Sequence, residues 1–353
     1  MANLLKKVDK KTIEENSNIK KFFKVTKFKN INVKKILLCG DFFLDTSNYF
    51  PILKDHHLTF PGLYDWDLSS SKFYTKEFND NFFSNNFSYK EISDVFVLGS
   101  SPGNNYYRNI YTFLNRLFFI GEKKINIAIH RNTSNKFRDF ISYLLDIKKI
   151  KLGKFVFLDD GFYLFRNSQI PAFLNFRDTM EVYQDMFRPS TDAKNNIYVS
   201  RRNARWRRVI NESDFYSDFY KYGFDVIDFE NLTIAEQIKI SQNTKRIIAP
   251  NGSGLTNLIF ANPKINVIEI RKSQINKEFL KLYNKYKRIS NYKKNEHNFF
   301  AASVVNNDKK NFIKEDKSLK QLDQKFLLNH PYYKNFIVNQ GEFQKLIKNF
   351  SNY

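Results

Sequence analysis

Residues 246–270 constrain the fold of this chain more than any other stretch. Their sequence, RIIAPNGSGLTNLIFANPKINVIEI, begins with a short apolar run that stops at a glycine-containing turn, residues 250–254. An apolar pattern then restarts at 255–260 and predicts a helix, and residues 266–270 predict a second strand. The stretch therefore predicts a strand, a glycine turn, a helix and a strand in succession.

The glycine turn has two interpretations. It leaves backbone N–H groups exposed at the start of a helix, where the dipole favours negative charge, and its glycines remove side chains that would block a phosphate. The alternative is a tight strand-to-helix turn in which glycine serves only the backbone conformation. Under the first interpretation, the anion-binding residues are Asn251, Gly252, Ser253, Gly254, Leu255 and Thr256.

Length and composition limit the class of protein. At 353 residues and 42% hydrophobic content, the chain is globular and long enough for two domains. The single cysteine, Cys39, cannot form an internal disulfide, which suits a reducing compartment. No apolar stretch has the length of a membrane span, and the N-terminus lacks the apolar middle of a signal peptide. We therefore expect a cytoplasmic protein, in solution or held peripherally at the inner face of a membrane.

The formal net charge of +22 favours polyanionic partners, because so large an excess attracts negative charge over long distances. Nucleic acid, anionic lipid headgroups and nucleotide phosphates all satisfy this condition. Since much of the excess is lysine scattered among asparagine, the charge discriminates weakly among these partners.

Strands alternate with helices along both halves of the chain, which predicts mostly parallel sheets with helices on both faces. A polar stretch at 188–195 predicts the boundary between the halves. In the first half the predicted strands are 35–39, 94–99, 125–129, 155–158 and 163–165, and the predicted helices are 106–120 and 134–145. In the second half the predicted strands are 197–199 and 224–227, and the predicted helix is 234–242, opened by a capping box of Thr233 and Glu236. The predicted domains are 1–190 with a basic lead-in, 191–300, and a helical tail, 301–353, that packs back on the first domain.

The second half also carries short motifs in a specific order and spacing. They are IYVSRR at 197–202, RRVINE at 207–212, GFDVI at 223–227, LTIAEQI at 232–238, RIIAPNGSGLTNLIFANP at 246–263 and VIEI at 267–270. By this order the chain resembles glycosyltransferase family 61, which covers many bacterial capsule and surface polysaccharide proteins. A fainter match is NYYRNIYTFLNR at 105–116.

The chain departs from the family pattern at several positions. Asn251 stands where the family has histidine before the glycine, and Thr112 where it has aspartate. Arg108 and Asn109 replace a histidine and a tryptophan. These changes leave open a degenerate transferase that binds nucleotide or glycan without turnover.

The resemblance implies the GT-B architecture, with two Rossmann-like α/β domains facing across a cleft and the C-terminal one holding a nucleotide sugar. It also implies transfer with inversion, without an obligatory metal or another cofactor. The expected acceptor is a surface polysaccharide or a lipid-linked glycan, with the basic protein surface near anionic lipid. Nucleic acid is not expected as a partner under this interpretation.

A metal-free site must neutralise the departing diphosphate with helix ends and guanidinium groups, whose planar fork binds two phosphate oxygens. Arg201, Arg202 and Arg207 follow a strand at the edge where open α/β sheets bind ligands. Glu269, at the end of the predicted strand 266–270 next to the glycine turn, could bind a ribose or sugar hydroxyl, or be a surface charge. The alternative for the arginines is a solvated loop or the phosphate-binding loop of a nucleic-acid-binding α/β protein. Asn211 and Glu212 are predicted to cap the following helix and so hold the arginine loop.

The catalytic base is expected in the first domain. Asp41, after a strand and a glycine, is the first candidate, and His130, at the end of another strand, is the second. Either residue could instead be a capping or surface residue. Arg108 would bind an acidic acceptor or a phosphate in place of the family's histidine. Asp65 and Asp67 form a D-x-D motif typical of metal-dependent glycosyltransferases, but it lies in an irregular stretch, so no metal ligand is predicted.

Overall fold

The chain forms two compact units, residues 1–182 and 183–353. The computed structural model describes residues 88–99, 105–188, 192–305 and 330–352. Before residue 88 it describes 6–7, 23–28, 31–46, 50–53 and 58–59, and the single positions 21, 82 and 84. The helices in this part of the chain include none that is long and apolar enough to cross a membrane.

The described residues of the first unit contain a ten-stranded sheet. Its strands are β1 (Lys6–Lys7), β2 (Phe23–Phe28), β3 (Ile31–Asp45), β4 (Phe50–Leu53), β5 (Leu58–Thr59), β6 (Lys90–Ser93), β7 (Phe96–Val97), β8 (Lys124–His130), β9 (Lys151–Leu158) and β10 (Phe162–Pro171). Its helices are α1 (Tyr106–Arg108), α2 (Asn135–Ile147) and α3 (Phe176–Met186). The main strand order is β1-β5-β4-β3-β10-β7-β8-β9, with β2 beside β3 and β6 beside β10.

This first sheet is mixed rather than mostly parallel as predicted. Strands β7 to β10 pair in parallel, but β3 pairs antiparallel with β2, β4 and β10. The sequence suggested that a strand ends at Cys39, because Gly40 and Asp41 resemble a turn. Gly40 instead lies inside β3 at φ 109°, opposite a register shift between Phe165 and Ser168. Such a bulge bends the strand without ending it.

The predicted helix at 106–120 is helical but is not a regular α-helix. After α1 it continues as a π-helix, Asn109–Phe113, and a 3-10 helix, Leu114–Phe119. Two asparagine amides bond backbone oxygens one turn back, from Asn109 to Asn105 at 3.1 Å and from Asn115 to Tyr111 at 2.7 Å. Side-chain bonds of this kind compete with regular helix hydrogen bonding.

The second unit is built on a six-stranded sheet among its described residues. Its strands are β11 (Asn195–Val199), β12 (Phe224–Ile227), β13 (Thr244–Pro250), β14 (Asn266–Lys272), β15 (Glu296–Val305) and β16 (Asn335–Ile337). Its α-helices are α4 (Tyr216–Lys221), α5 (Ile234–Gln242), α6 (Leu280–Tyr283), α7 (Lys285–Tyr292) and α8 (Gln340–Ser351). The predicted α5 is confirmed, including both halves of its capping box.

Five parallel strands of this sheet have the order β12-β11-β13-β14-β15, and β16 is added antiparallel at the edge. Counted along the chain this order is 2-1-3-4-5, that of a doubly wound α/β sheet. The strand that follows β11 in the chain, β12, lies on one side of it, and the later strands β13, β14 and β15 lie on the other side. The strand order therefore reverses between β11 and β13, and we call this place the reversal point. Loops that leave the carboxyl ends of those two strands diverge and form a crevice, where such sheets bind ligands.

Two elements late in the second unit differ from expectation. Strand β15, with the sequence EHNFFAASVV, lies in a stretch for which the sequence predicted no strand, and its His297 is buried. The tail helix α8 places Phe343, Ile347 and Phe350 in an apolar core with Tyr198 and Ile248 of the sheet. These contacts make the tail helix part of the core of the second unit.

Candidate functional site

The two predicted donor-binding segments meet at the reversal point of the second sheet. Residues 200–208, the arginine loop, follow β11, and residues 251–254, the glycine turn, follow β13. The two strands are hydrogen-bonded neighbours, with Ile197 opposite Ile247. The fold therefore brings Arg201, Arg207, Asn251 and Gly252 to one crevice.

The glycine turn is tightly packed. The backbone N–H of Asn251 donates to the Ile270 carbonyl at 2.8 Å, which ties the turn to the end of β14. A Cβ added to Gly254 would lie 3.0 Å from a Val199 methyl carbon, so glycine is needed for close packing against β11. The turn leads into a 3-10 helix, Ser253–Ile259, and not into an α-helix that starts at Leu255 as predicted.

This difference changes the electrostatic argument for the site. A short 3-10 helix has few aligned peptide units and poorer hydrogen-bond geometry, so its end contributes less positive potential than an α-helix. Neutralisation of an anion here depends mainly on the neighbouring guanidinium groups. Thr256, within the 3-10 helix, is fully buried, and its hydroxyl has no hydrogen-bond partner among the described residues.

Arg201 lies directly against Gly252. A Cβ added to that glycine would come within 2.7 Å of the Arg201 Cζ, so only glycine leaves room for the guanidinium. The Arg201 Nη2 donates to the Trp206 carbonyl at 3.1 Å, whereas its Nε has no partner in the described part of the chain. Burial, together with the nearby charge of Arg207, lowers the pKa of Arg201 to about 10. The group is therefore a buried cation at neutral pH.

Arg207 is the second buried guanidinium. Its Nη1 donates to the Asn251 Oδ1 at 2.9 Å and to the Tyr332 hydroxyl at 2.7 Å, and its Cζ lies 4.5 Å from the Tyr332 ring centroid. Its backbone adopts φ 56°, a left-handed conformation that costs a residue other than glycine about 1–2 kcal/mol. The surrounding contacts must hold it there, and such strain is frequent at functional sites.

Strand β16 holds this loop in place. The Phe336 N–H donates to the Arg208 carbonyl at 2.7 Å, and the Ile210 N–H donates to the Phe336 carbonyl at 2.9 Å. The Asn335 Oδ1 accepts from the Arg208 N–H at 3.0 Å. Residues more than 120 positions away in the chain therefore fix the backbone that follows Arg207.

The crevice carries two buried guanidinium groups, and Glu230 is the carboxylate whose charge acts on Arg201. Among the described residues, neither Arg201 nor Arg207 forms an ion pair with an aspartate or glutamate, although both are less than a tenth exposed. Burial would raise the pKa of the Tyr332 hydroxyl, but Arg207 and Lys285 outweigh it and lower that pKa. Because burial of an unpaired charge is costly, this arrangement is one that an anionic ligand would complete.

Two other residues predicted to bind the nucleotide-sugar donor, Arg202 and Glu269, have environments different from those of Arg201 and Arg207. Arg202 is exposed, and its Nε lies 3.9 Å from the Asp228 Oδ2. Glu269 is fully buried, accepts from the Asn251 Nδ2 at 2.6 Å and pairs with the His297 Nε2 at 3.0 Å. Both of its carboxylate oxygens are engaged inside the protein, so it is not a surface charge.

Asn211 and Glu212 hold the arginine loop, but not as helix caps. Asn211 makes no capping bond and instead exchanges two hydrogen bonds with the Val338 backbone, at 3.1 and 3.2 Å. Glu212 is buried and accepts from the hydroxyls of Tyr198, Ser200 and Tyr216 at 2.9, 2.6 and 2.9 Å. The cap prediction is wrong because tertiary partners more than 100 residues away, or on a neighbouring strand, occupy these side chains.

In the first unit, His130 lies at the carboxyl end of β8 beside a carboxylate. Its Nε2 is 3.1 Å from the Asp160 Oδ1, and its Nδ1 is 3.2 Å from the Asn132 backbone N–H. Since a backbone N–H can only donate, Nδ1 accepts and the proton of the neutral ring lies on Nε2, directed at Asp160.

The other two predicted acceptor-side residues are Asp41, which is less suited to accept a proton than His130, and Arg108, which is partly buried. Asp41 is exposed and accepts from the Asn167 N–H at 2.8 Å and from the Arg166 Nη1 at 2.9 Å. These two bonds lower its pKa, which makes it a weaker base. Burial lowers the pKa of Arg108 to about 10.

The D-x-D residues Asp65 and Asp67 lie outside the described residues. The described residues contain no group of three His, Cys, Asp or Glu side chains placed to hold a metal ion.

Three residues that complete the crevice were not predicted: Tyr332, Lys285 and His297. Each comes from a segment with no recognisable motif, after the matching strings end. They come from three separate elements: Lys285 from α7, His297 from β15 and Tyr332 from the 3-10 turn Pro331–Tyr333. No local pattern in the sequence could have identified them.

Comparison with known proteins agrees with the resemblance drawn from the motifs. A family model, Glycosyltransferase 61, matches residues 40–268, which include the arginine loop and most of the segment around the glycine turn. No individual curated protein matches the chain. The family match spans more than half of the sequence and contains Arg201, Arg207, Asn251 and Gly252, so the chain belongs to glycosyltransferase family 61.

Proposed function

We propose that this protein is an inverting glycosyltransferase that binds the diphosphate of a nucleotide-sugar donor in the crevice of the second unit. Arg201 and Arg207 hold the diphosphate, and the missing side chain at Gly252 leaves room for the Arg201 guanidinium. The first unit supplies the acceptor side, and the acceptor is a surface polysaccharide or a lipid-linked glycan. The predicted GT-B arrangement and the place of action at an anionic inner membrane face belong to the same proposal.

One observation carries this proposal: two buried guanidinium groups lie at the reversal point of the sheet without a carboxylate partner among the described residues. When the bond between the sugar and the diphosphate breaks, negative charge grows on the departing phosphate oxygen. Preorganised cations at that position stabilise the transition state more than the ground state. In this proposal the guanidinium groups do the work that a divalent metal does in metal-dependent transferases.

For the catalytic base, the geometry favours His130 over Asp41. The Asp160 carboxylate would stabilise the imidazolium that forms when the His130 ring takes a proton from the acceptor hydroxyl. The acceptor hydroxyl would replace the Asn132 N–H at Nδ1. Arg108 is proposed to bind an acidic group of the acceptor.

Calorimetric titration with nucleoside diphosphates tests the donor site. We expect binding in the presence of EDTA, and we expect Arg201→Ala to abolish it while the thermal unfolding of the free protein stays close to wild type. Arg177→Ala, which changes an exposed arginine on α3, is the control and should bind normally. Binding that requires Mn²⁺ or Mg²⁺ would contradict the metal-free site.

Two further measurements separate the proposal from its alternatives. Hydrolysis of a nucleotide-sugar donor distinguishes a transferase from a degenerate relative that only binds. Salt-sensitive binding to random RNA, without any response to nucleoside diphosphates, would identify a nucleic-acid-binding protein instead.

A further inference from the structure

A chain of buried hydrogen bonds runs from α7 to Arg207. Ser290 Oγ lies 2.7 Å from His297 Nδ1, and His297 Nε2 lies 3.0 Å from Glu269 Oε2. Glu269 Oε1 accepts from Asn251 Nδ2 at 2.6 Å, and Asn251 Oδ1 accepts from Arg207 Nη1 at 2.9 Å. All five side chains are less than a tenth exposed.

The chemistry of the groups gives this chain one direction. An ionised carboxylate can only accept hydrogen bonds, so Glu269 requires the NH₂ side of the Asn251 amide. The amide oxygen then faces Arg207, whose guanidinium can only donate. With the amide reversed, two donors would meet at Arg207 and two acceptors at Glu269. The carboxylate therefore decides which way the amide points.

The remaining groups hold the carboxylate itself. His297 occupies the second oxygen of Glu269 and prevents it from rotating away, and Ser290 holds the far side of the imidazole ring. A buried carboxylate is expensive, and apolar side chains of similar volume often serve stability as well or better. The effect on Asn251 is one that an apolar replacement could not supply.

Arg207 needs such support more than most residues. It occupies a left-handed backbone conformation, and its Nε has no hydrogen-bond partner within the described residues. Asn251 and Tyr332 share one terminal nitrogen of the guanidinium. This arrangement fixes the plane of the guanidinium, so a change at Asn251 would turn the whole group.

We propose that Glu269 is a positioning residue: with His297 and Ser290 behind it, it orients the Asn251 amide and thereby the guanidinium of Arg207. Glu269 does not touch the donor. This inference rests on the proposed diphosphate-binding function of Arg207. Glu269, Ser290 and His297 all lie beyond residue 268, where the family match ends.

A double-mutant cycle tests this role. The dissociation constant of a nucleoside diphosphate is measured by calorimetry for wild type, Glu269→Gln, Arg207→Ala and the double variant. We expect Glu269→Gln to weaken binding about tenfold in the wild-type background, a usual coupling for contacting residues, and to cause no further loss with Arg207→Ala. A merely structural role would give the same loss in both backgrounds.

Glu212→Gln is the matched control. Glu212 is also a buried carboxylate of the second unit, but its hydrogen bonds come from Tyr198, Ser200 and Tyr216 and not from the chain that reaches Arg207. Because Glu212 holds the arginine loop at Ser200, next to Arg201, any effect of Glu212→Gln on affinity should persist with Arg207→Ala. Ser290→Ala, a milder change at the far end of the chain, provides a second cycle if Glu269→Gln does not fold.

The outcomes separate the two proposals. If Glu269→Gln and Ser290→Ala leave affinity unchanged, or if their losses add to that of Arg207→Ala, the positioning role is wrong and the donor site stands. If Arg207→Ala itself leaves affinity unchanged, the proposed donor site is wrong. Loss with Glu269→Gln that disappears in the Arg207→Ala background supports both.

Discussion

The charged side chains at the carboxyl edges of the two sheets differ in burial and in pairing. At the edge of the first sheet, Arg131 pairs with Asp159 at 2.6 Å, with side chains 60% and 43% exposed, and His130 pairs with Asp160. At the edge of the second, Arg201 and Arg207 are 7% and 6% exposed and have no carboxylate partner among the described residues. The first edge pairs its charged groups with carboxylates, whereas the second keeps two buried cations that form no ion pair among the described residues.

This difference shows why the overall charge of the chain is a poor guide to its site. Exposed ion pairs contribute little to stability and are screened by salt. A buried guanidinium is screened much less, so a few such groups dominate the binding of an anion even in a chain with 58 lysines and arginines. Burial, and not the number of cations, identifies the candidate site.

The largest expected contrast is between one arginine at each edge. We expect Arg207→Ala to weaken binding of a nucleoside diphosphate about 100-fold, because hydrogen bonds between charged groups contribute roughly 1.5–3 kcal/mol each. Arg131→Ala should leave the affinity unchanged, since its partner is Asp159. Calorimetric titration of both variants measures the contrast, and equal losses would remove the distinction between the edges.

The next prediction uses the space at the second edge. In Gly252→Ala the new methyl group would come within 2.7 Å of the Arg201 Cζ and must displace the guanidinium. We expect about tenfold weaker binding of the nucleoside diphosphate, a typical cost of overpacking. Gly121→Ala, where no atom lies within 4 Å of the added Cβ, is the control and should bind normally. Unchanged affinity in Gly252→Ala would show that the position of Arg201 does not matter.

A smaller effect is expected from the hydroxyl that contacts Arg207. Tyr332→Phe keeps the ring beneath the guanidinium but removes one hydrogen bond, so affinity should fall about fivefold. Tyr333→Phe keeps the ring beside Trp206 and should have no effect. If both variants bind like wild type, Tyr332 serves only to pack the loop.

The same hydroxyl predicts a pH dependence. Despite its burial, Arg207 and Lys285 lower the pKa of Tyr332, so it ionises at lower pH than an ordinary tyrosine. Its negative charge would then compete with the diphosphate for Arg207, and affinity should decline as pH rises through this pKa. In Tyr332→Phe the decline should be shifted to higher pH. Parallel titrations of both proteins from neutral to alkaline pH check this, and identical profiles would contradict it.

The smallest effect is expected at Asp41, in the first unit. Its lowered pKa means that its contribution to stability is present above the ordinary carboxyl pKa and is lost as pH falls through the lowered value. Asp41→Asn should therefore lower the melting temperature slightly at pH 7, and the difference from wild type should shrink below about pH 4. Donor hydrolysis at pH 7 should stay unchanged, and a large loss would restore Asp41 as the catalytic base.

The sequence was informative where a feature depends on neighbours in the chain. The capping box of Thr233 and Glu236, the strand at 224–227 and the glycine turn all follow from residues within a few positions of one another. The meeting of Arg201 with Gly252 was also predictable, because parallel strands place the loops that follow them at the same edge.

Other features depend on contacts that no local pattern encodes. Tyr332 reaches Arg207 across 125 positions of the chain. The sequence left Glu269 open as a ligand for a sugar hydroxyl or a surface charge, and only its buried partners, Asn251 and His297, show its environment. The continuation of β3 through Gly40 depends on a bulge in the neighbouring strand β10. The π-helical and 3-10 geometry after α1 depends on asparagine side chains that bond to the backbone.

Strand β16 and Tyr332 have a consequence for biosynthesis. The pocket around Arg207 is closed by residues 330–338, which leave the ribosome long after the arginine loop and the glycine turn. A nascent polypeptide lacks the Tyr332 and β16 contacts to the arginine loop until this segment docks, so we expect the proposed donor site to form only after this segment is made. For the same reason, an affinity tag or a deletion near residue 330 would act on the pocket directly.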